Sequence, residues 1–191
     1  VIKRVRRWNI AAVTATIIGA VAAWIIVGMV PAQVPQSLLF VFFSGFIAIC
    51  AMILPGISGS FILVLLGQYE YILSAVNNRD IVTLVIFAFG ALLGLATFAQ
   101  VLSWLFKRYH DLTVAVLIGF MAGSLRKIWP WKETLSYATD RHGQPIPLEQ
   151  INVLPDAWTT EVTLAIALAL LGFALVFTID YIGSRKEIAP P

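Results

Sequence analysis

Of the 191 residues, 60% are hydrophobic and only 12% are charged, and the mean hydropathy is +0.89; soluble domains carry about a quarter charged residues, so a soluble globule is excluded. A transmembrane β-barrel is excluded as well, because such barrels read as segments of about ten residues with alternating polarity, and the apolar runs here are apolar on every face. The formal net charge of +3 comes from basic groups flanking those runs, which suits membrane orientation rather than nucleic-acid binding, and the lone Cys50 lies within an apolar run as a packing residue.

The chain opens on Val1 and the cluster Lys3, Arg4, Arg6 and Arg7, and is expected to be a segment of a longer protein. Residues 8–30 carry no charge and are predicted to form a first transmembrane helix, since about 20 apolar residues span the hydrocarbon. The run is longer than a signal-peptide core and lacks a small-residue cleavage site, so it stays in the mature protein.

Residues 38–76 form a second apolar run whose one charge is Glu70, interrupted at 55–60 by Pro55-Gly56-Ile57-Ser58-Gly59-Ser60. Proline removes a helical donor and glycine loosens the backbone, so the run is predicted to be a broken or re-entrant helical pair. A cytoplasmic turn would be expected to carry Lys or Arg, and this one carries neither; irregular backbone at membrane depth is tolerated where it lines a cavity or is buried in protein.

Residues 80–106 are predicted to cross back to Lys107 and Arg108, residues 112–128 to form a short or re-entrant helix leading outward, and residues 162–182 a last transmembrane helix ending near Arg185 and Lys186. Between the last two, residues 129–161 are an outer polar segment with five acidic residues against Lys132 and Arg141. Positive charge marks cytoplasmic ends, so the three basic groups at span ends place the N-terminus of the chain inside. Trp8, Trp104, Trp129, Trp131 and Trp158 fall at span ends, as an aromatic belt requires. The fold class expected is all-α: a polytopic helical membrane protein with a broken or re-entrant hairpin.

The break is the first candidate site. A helix starting after it would offer free amides at Gly59 and Ser60 and hydroxyls at Ser58 and Ser60, a cradle for a phosphate or carboxylate; the plainer reading is a kink with tight packing. Arg126 follows the small-residue stretch Gly119-Phe120-Met121-Ala122-Gly123-Ser124 and could supply a counter-charge, or it could snorkel to the headgroups as Lys127 would. Glu70 is a candidate proton-coupling carboxylate if the surroundings are poor in water, and an interface residue otherwise. Gly90-x-x-x-Gly94 and Gly119-x-x-x-Gly123 read as helix contacts. Gly56-Ile57-Ser58-Gly59 also matches the Gly-x-Ser-Gly core of rhomboid-type intramembrane proteases, but that chemistry needs a histidine facing the serine, and His110 and His142 both lie outside the apolar runs. No metal-ligand spacing and no phosphate-binding P-loop occurs, so no cofactor is expected. A channel for ions or small solutes and a structural scaffold remain as alternatives.

The stretch Ala51-Met52-Ile53-Leu54-Pro55-Gly56-Ile57-Ser58-Gly59-Ser60-Phe61-Ile62-Leu63, with Leu66-Gly67-Gln68-Tyr69-Glu70 after it, closely resembles the bacterial polyprenyl-phosphate transporter family. Gly-Ser-Leu-Arg-Lys-Ile-Trp-Pro-Trp at 123–131 looks like a second signature. The resemblance implies a non-enzymatic translocase in the bacterial cytoplasmic membrane. Its partners are membrane lipids and undecaprenyl phosphate, which it returns from the outer to the inner leaflet to recycle the carrier of cell-envelope precursors. Family members are similar to inverted-repeat transporters with a Pro-Gly-x-Ser-Gly motif in each half; this chain shows one copy, as one half and the C-terminal part of a member would, so the N-terminal half is an implied partner. The lipid-phosphate site expected on these grounds is Pro55, Gly56, Ser58, Gly59, Ser60 and Arg126, with Glu70 as the coupling group. The topology is open to test with single cysteines and an impermeant thiol reagent: the region 144–154 should be modified from outside the cell, and protection there with labelling near Lys107 would reverse the orientation.

Overall fold

The computed structural model describes residues 5, 8–32, 34–139, 145–155 and 157–186. Lys3, Arg4, Arg6 and Arg7, on which the orientation partly rests, lie outside the described residues, as do Arg141, His142 and Gln144. The elements are α1 Ile10–Val27, α2 Leu38–Ile53, α3 Gly59–Leu65, α4 Tyr69–Asn77, α5 Ile81–Arg108, α6 His110–Ile128, β1 Lys132–Thr139, β2 Pro145–Asn152 and α7 Thr160–Lys186.

Polar residues start the apolar helices. Asn9, Ser37, Ser58 and Asp80 each accept a bond from a first-turn amide, those of Ala12, Phe40, Phe61 and Thr83, which satisfies donors that no carbonyl of the helix can reach. The last turn of α5 carries Lys107 and Arg108, opposite in sign to the helix C-terminus. Among the described residues three helices are long and apolar enough to cross a membrane, Ile10–Val27, Ile81–Arg108 and Thr160–Gly183, and α3 with α4 forms a bent pair turned by 109°. The protein is a helical, multi-pass membrane protein.

Two helix pairs hold the bundle together, each by backbone approach at glycine. In the first, α1 lies on α6: a Cβ on Gly119 would collide with the Thr16 carbonyl oxygen, one on Gly123 with that of Ala20, and one on Gly19 with that of Val116. In the second, α2 lies on α5: Gly90 faces the carbonyl of Phe42, Gly94 that of Phe46, and Gly45 that of Phe87. Both Gly-x-x-x-Gly pairs therefore act as contact surfaces. Residue numbers rise together across each interface, so both pairs are parallel. Such contacts replace the hydrophobic drive that lipid cannot supply between helices, and they admit Cα–H···O bonds at close range.

The run 38–76 is three helices rather than two. Ile53 is the last residue of α2 and Leu54 is extended at ψ 131, because a residue before proline is pushed out of the helical region. The non-helical stretch is 54–58; Gly59 and Ser60 already belong to the first turn of α3, since Ser58 caps it. A second break at Leu66, Gly67 and Gln68 separates α3 from α4, with Gly67 at φ +61 where a Cβ would meet the Ala32 carbonyl.

The polar segment 129–161 contains structure that composition did not announce: β1 pairs antiparallel with β2 from Lys132↔Asn152 to Thr139↔Pro145, with irregularities on either side of Ser136. In α7 the apolar side chains are exposed along the helix, Val162 alone among its described residues is buried, and a Cβ on Gly172 or Gly183 would meet nothing within 4 Å. Lipid is the natural solvent for that surface.

Glycine at these interfaces predicts a contrast that thermal unfolding in detergent can read. Gly90→Leu should destabilise the protein by about 1–3 kcal/mol or more, because overpacking against a backbone carbonyl cannot relax cheaply, whereas Gly172→Leu should leave the melting temperature within a degree or so of wild type. Equal effects from both would show that α2 and α5 do not pack through Gly90.

Candidate functional site

The break 54–58 is pressed onto α6. Gly56 has φ +93, a conformation only glycine adopts freely, and a Cβ there would collide with the Ser124 hydroxyl. Pro55 is half-buried beside it. Ile57 is buried with Ala51, Ile62 and Leu65, and Phe120 of α6 packs against that cluster. The motif is thus wedged between the last turn of α2 and the C-terminal half of α6.

At the start of α3 the Ser58 hydroxyl accepts from the Phe61 amide at 3.2 Å and stands 3.3 Å from the Ser60 hydroxyl, while the Ile62 amide bonds the Ser58 carbonyl. Those bonds leave the amides of Gly59 and Ser60 as the first-turn donors without a helical acceptor. Ser58 and Ser60 are both exposed. Gly59 has a second reason to be glycine: a Cβ would lie 3.1 Å from the Ala48 carbonyl oxygen, so α3 leans on α2 there.

Arg126 has a structural task. Its Nη1 donates to the Trp24 carbonyl at 3.1 Å, its guanidinium lies over the Trp24 ring at 4.9 Å, and Gly28 leaves the room it occupies. The side chain therefore caps the C-terminus of α1, where a positive charge is favoured. Lys127 points toward the motif: its Nζ is 4.5 Å from the centre of the Phe61 ring, in the first turn of α3. The hairpin is tied to the same helix end. Lys132 Nζ donates to the Lys127 carbonyl at 2.7 Å, Asn152 Nδ2 to the Arg126 carbonyl at 2.9 Å, and Trp129 Nε1 to the Val153 carbonyl at 2.8 Å.

These elements enclose a pocket of about 270 Å³. Arg126, Lys127 and Lys132 supply its charge, Gln150 and Asn152 of β2 its polar wall, and Phe61 with Val64 and Leu65 of α3 its apolar side; residues 27–31 complete it, and among the described residues no carboxylate lines it. An anion entering it would meet three cations and could leave an apolar tail against α3.

The structure brings Arg126 and the motif helix to one place, through Lys127 and Phe61, but Ser58 and Ser60 do not line the pocket. Glu70 stands exposed in the first turn of α4, beyond the second break, and does not line it either. Lys132, Gln150 and Asn152 were absent from the expected site. Lys132 was visible as a cation in an acidic segment, but its closeness to Lys127, and that of β2, depend on the hairpin register. His110 Nδ1 lies 3.1 Å from Asp111 Oδ1 at the first turn of α6, the opposite end from Ser124 where Gly56 packs, so His110 is no base for Ser58; His142 is outside the described residues.

A family model described as VCA0040-like, undecaprenyl phosphate translocase-like, matches residues 1–146. Over 170 residues the chain is 45% identical to a polyprenyl-phosphate transporter of Vibrio cholerae serotype O1, covering 86% of this chain and 55% of that protein. Over 95 residues it is 34% identical to a polyprenyl-phosphate transporter of Staphylococcus aureus, covering 47% of this chain and 34% of that protein. The chain thus spans about half the length of the first relative and a third of the second. No solved structure matches it significantly.

Proposed function

The chain belongs to the undecaprenyl phosphate translocase-like family, and from that premise we propose that it forms half of a carrier moving undecaprenyl phosphate from the outer to the inner leaflet of the bacterial cytoplasmic membrane, where the lipid is reused for envelope precursors. The other half is the N-terminal part of the same protein, a reading supported by the share of the Vibrio cholerae relative that the match covers. In this proposal the N-terminus of the chain lies in the cytoplasm and the hairpin outside, as the basic groups at span ends favour.

The observation that carries this reading is the meeting of the motif with the cationic end of α6: Gly56 packs on Ser124 and Phe61 lies under Lys127. A phosphate there has cations at the pocket and, one turn away, the hydroxyls and free amides of Ser58, Gly59 and Ser60. Its polyprenyl tail needs no protein core, because the helices around it are already dressed for lipid. Pro55 and Gly56 shape the site rather than contact the headgroup.

Hydrogen bonds to a charged group contribute about 1.5–3 kcal/mol each, so losing one should weaken binding roughly ten- to a hundredfold. Ser58→Ala and Arg126→Ala, made in the full-length protein, should each lower affinity for polyprenyl phosphate by that factor. Arg126→Lys should keep part of the loss, because an ammonium replaces the charge but not the planar stack over Trp24. Wild-type binding by both alanine variants would reduce the motif to a packing break. Gly59 is a poor probe, since any side chain there disturbs the contact with Ala48.

Glu70 is the proposed proton-coupling group, at the start of the helix that follows the second break. Glu70→Gln should flatten the pH dependence of lipid transport by the full-length protein. A pH profile that keeps its wild-type shape would make Glu70 an interface residue.

A further inference from the structure

The pocket draws its cations from two different elements. Arg126 and Lys127 come from the last turn of α6, and Lys132 is the first residue of β1. Lys132 is held at the helix end by its bond to the Lys127 carbonyl, and Asn152, its cross-strand partner, is held there by its bond to the Arg126 carbonyl. The hairpin is therefore docked with its open end on α6, and docking brings a third positive charge beside two that are already there.

Like charges fixed so close repel one another, and among the described residues no carboxylate lines the pocket to relieve them. The negative ends of the α1 and α6 dipoles, the first of them capped by Arg126, compensate about half a charge each, roughly one against three. An anion would balance the remainder, and its charge matters. Bilayer phosphodiesters carry one negative charge, whereas a phosphate monoester carries between one and a half and two near neutral pH, roughly, with three acceptor oxygens for donors such as these. A site meant to ignore the abundant phosphodiesters and take the rare monoester would need more positive charge than one phosphodiester can neutralise.

We infer that the docked base of the hairpin, Lys132 with Gln150 and Asn152, completes a headgroup pocket selective for phosphate monoesters over phosphodiesters, with Lys132 as the residue that sets the charge preference and Gln150 and Asn152 as its neutral polar wall. This rests on the carrier reading above and adds to it the basis of discrimination. A hairpin on the outer side suits that task, because selection before entry keeps the bulk lipids out of the site. Neutral Gln150 and Asn152 can donate to phosphate oxygens without lowering the positive potential.

The test compares two probes on the purified full-length protein: farnesyl phosphate, and its monomethyl ester, which has the same tail and one charge fewer. Wild type should prefer farnesyl phosphate by about tenfold or more, the scale of one charged hydrogen bond. Lys132→Met should collapse the preference and Lys132→Arg should restore it, an outcome that a purely structural cap would not produce, because the two esters share one tail and differ only at the headgroup, by a methyl group and the charge it removes. Should Lys132→Met not fold, Gln150→Glu places a negative charge on the wall without touching the α6 cap, and it should lower or reverse the preference. A wild type that binds both esters equally, or variants that keep the wild-type ratio, would overturn the inference and leave the carrier reading standing. A wild type that binds neither probe would overturn the carrier reading itself. Inorganic phosphate competing as well as farnesyl phosphate would assign the pocket to the free anion and overturn its role as a lipid headgroup site.

Discussion

Everything in this structure depends on helix backbones touching where glycine has removed the side chain. Lipid gives apolar side chains no reason to leave it, so helices associate through close packing and short polar contacts. Gly19, Gly119 and Gly123 let α1 and α6 approach, and Gly45, Gly90 and Gly94 do the same for α2 and α5. The two pairs are parallel and run in opposite directions in the expected topology. The chain must therefore return between α2 and α5 by some route other than a full antiparallel partner, and α3 with α4, turned by 109°, is that route. The break in the motif is a consequence of this arrangement as much as of Pro55.

Helix ends do two jobs at once. The Arg126 guanidinium, Lys132 and Asn152 occupy carbonyls at the C-termini of α1 and α6, and the first two also give the pocket its charge. A cation at a helix C-terminus is stable without a ligand. The pocket can therefore hold positive charge through its helix ends alone. Each of these side chains also holds two elements together, so its replacement disturbs packing as well as charge.

Ser58 illustrates the same economy on the other side of the pocket. Its hydroxyl is turned to the Phe61 amide, so part of the cradle that a helix start offers is satisfied from within. What remains, the amides of Gly59 and Ser60, belongs to a helix of only seven residues. The electrostatic weight of the site consequently falls on the α6 end, where three cations gather, and the motif contributes shape: a positive-φ glycine on Ser124 and an aromatic ring under Lys127.

The sequence by itself determined that this is a helical membrane protein, where its long spans lie, that the chain breaks at Pro55-Gly56, and which family it resembles. Those features are local or compositional: twenty apolar residues in a row, a proline without its donor and a long motif can each be read without knowing a neighbour. Even the two Gly-x-x-x-Gly pairs announced themselves as contacts, since small residues at that spacing have little other use in lipid. Only the tertiary structure decided what they contact and in which direction. It also decided that 38–76 would break a second time at Gly67, that Arg126 would cap α1, and that Lys132, Gln150 and Asn152 would join the site. Each of these depends on which surfaces meet across a hundred residues or on one strand register, Lys132 opposite Asn152. A one-residue slip would have turned those side chains to the other face. Periodicity and charge count carry no record of that choice, because its energy resides in backbone approach and helix capping between distant segments.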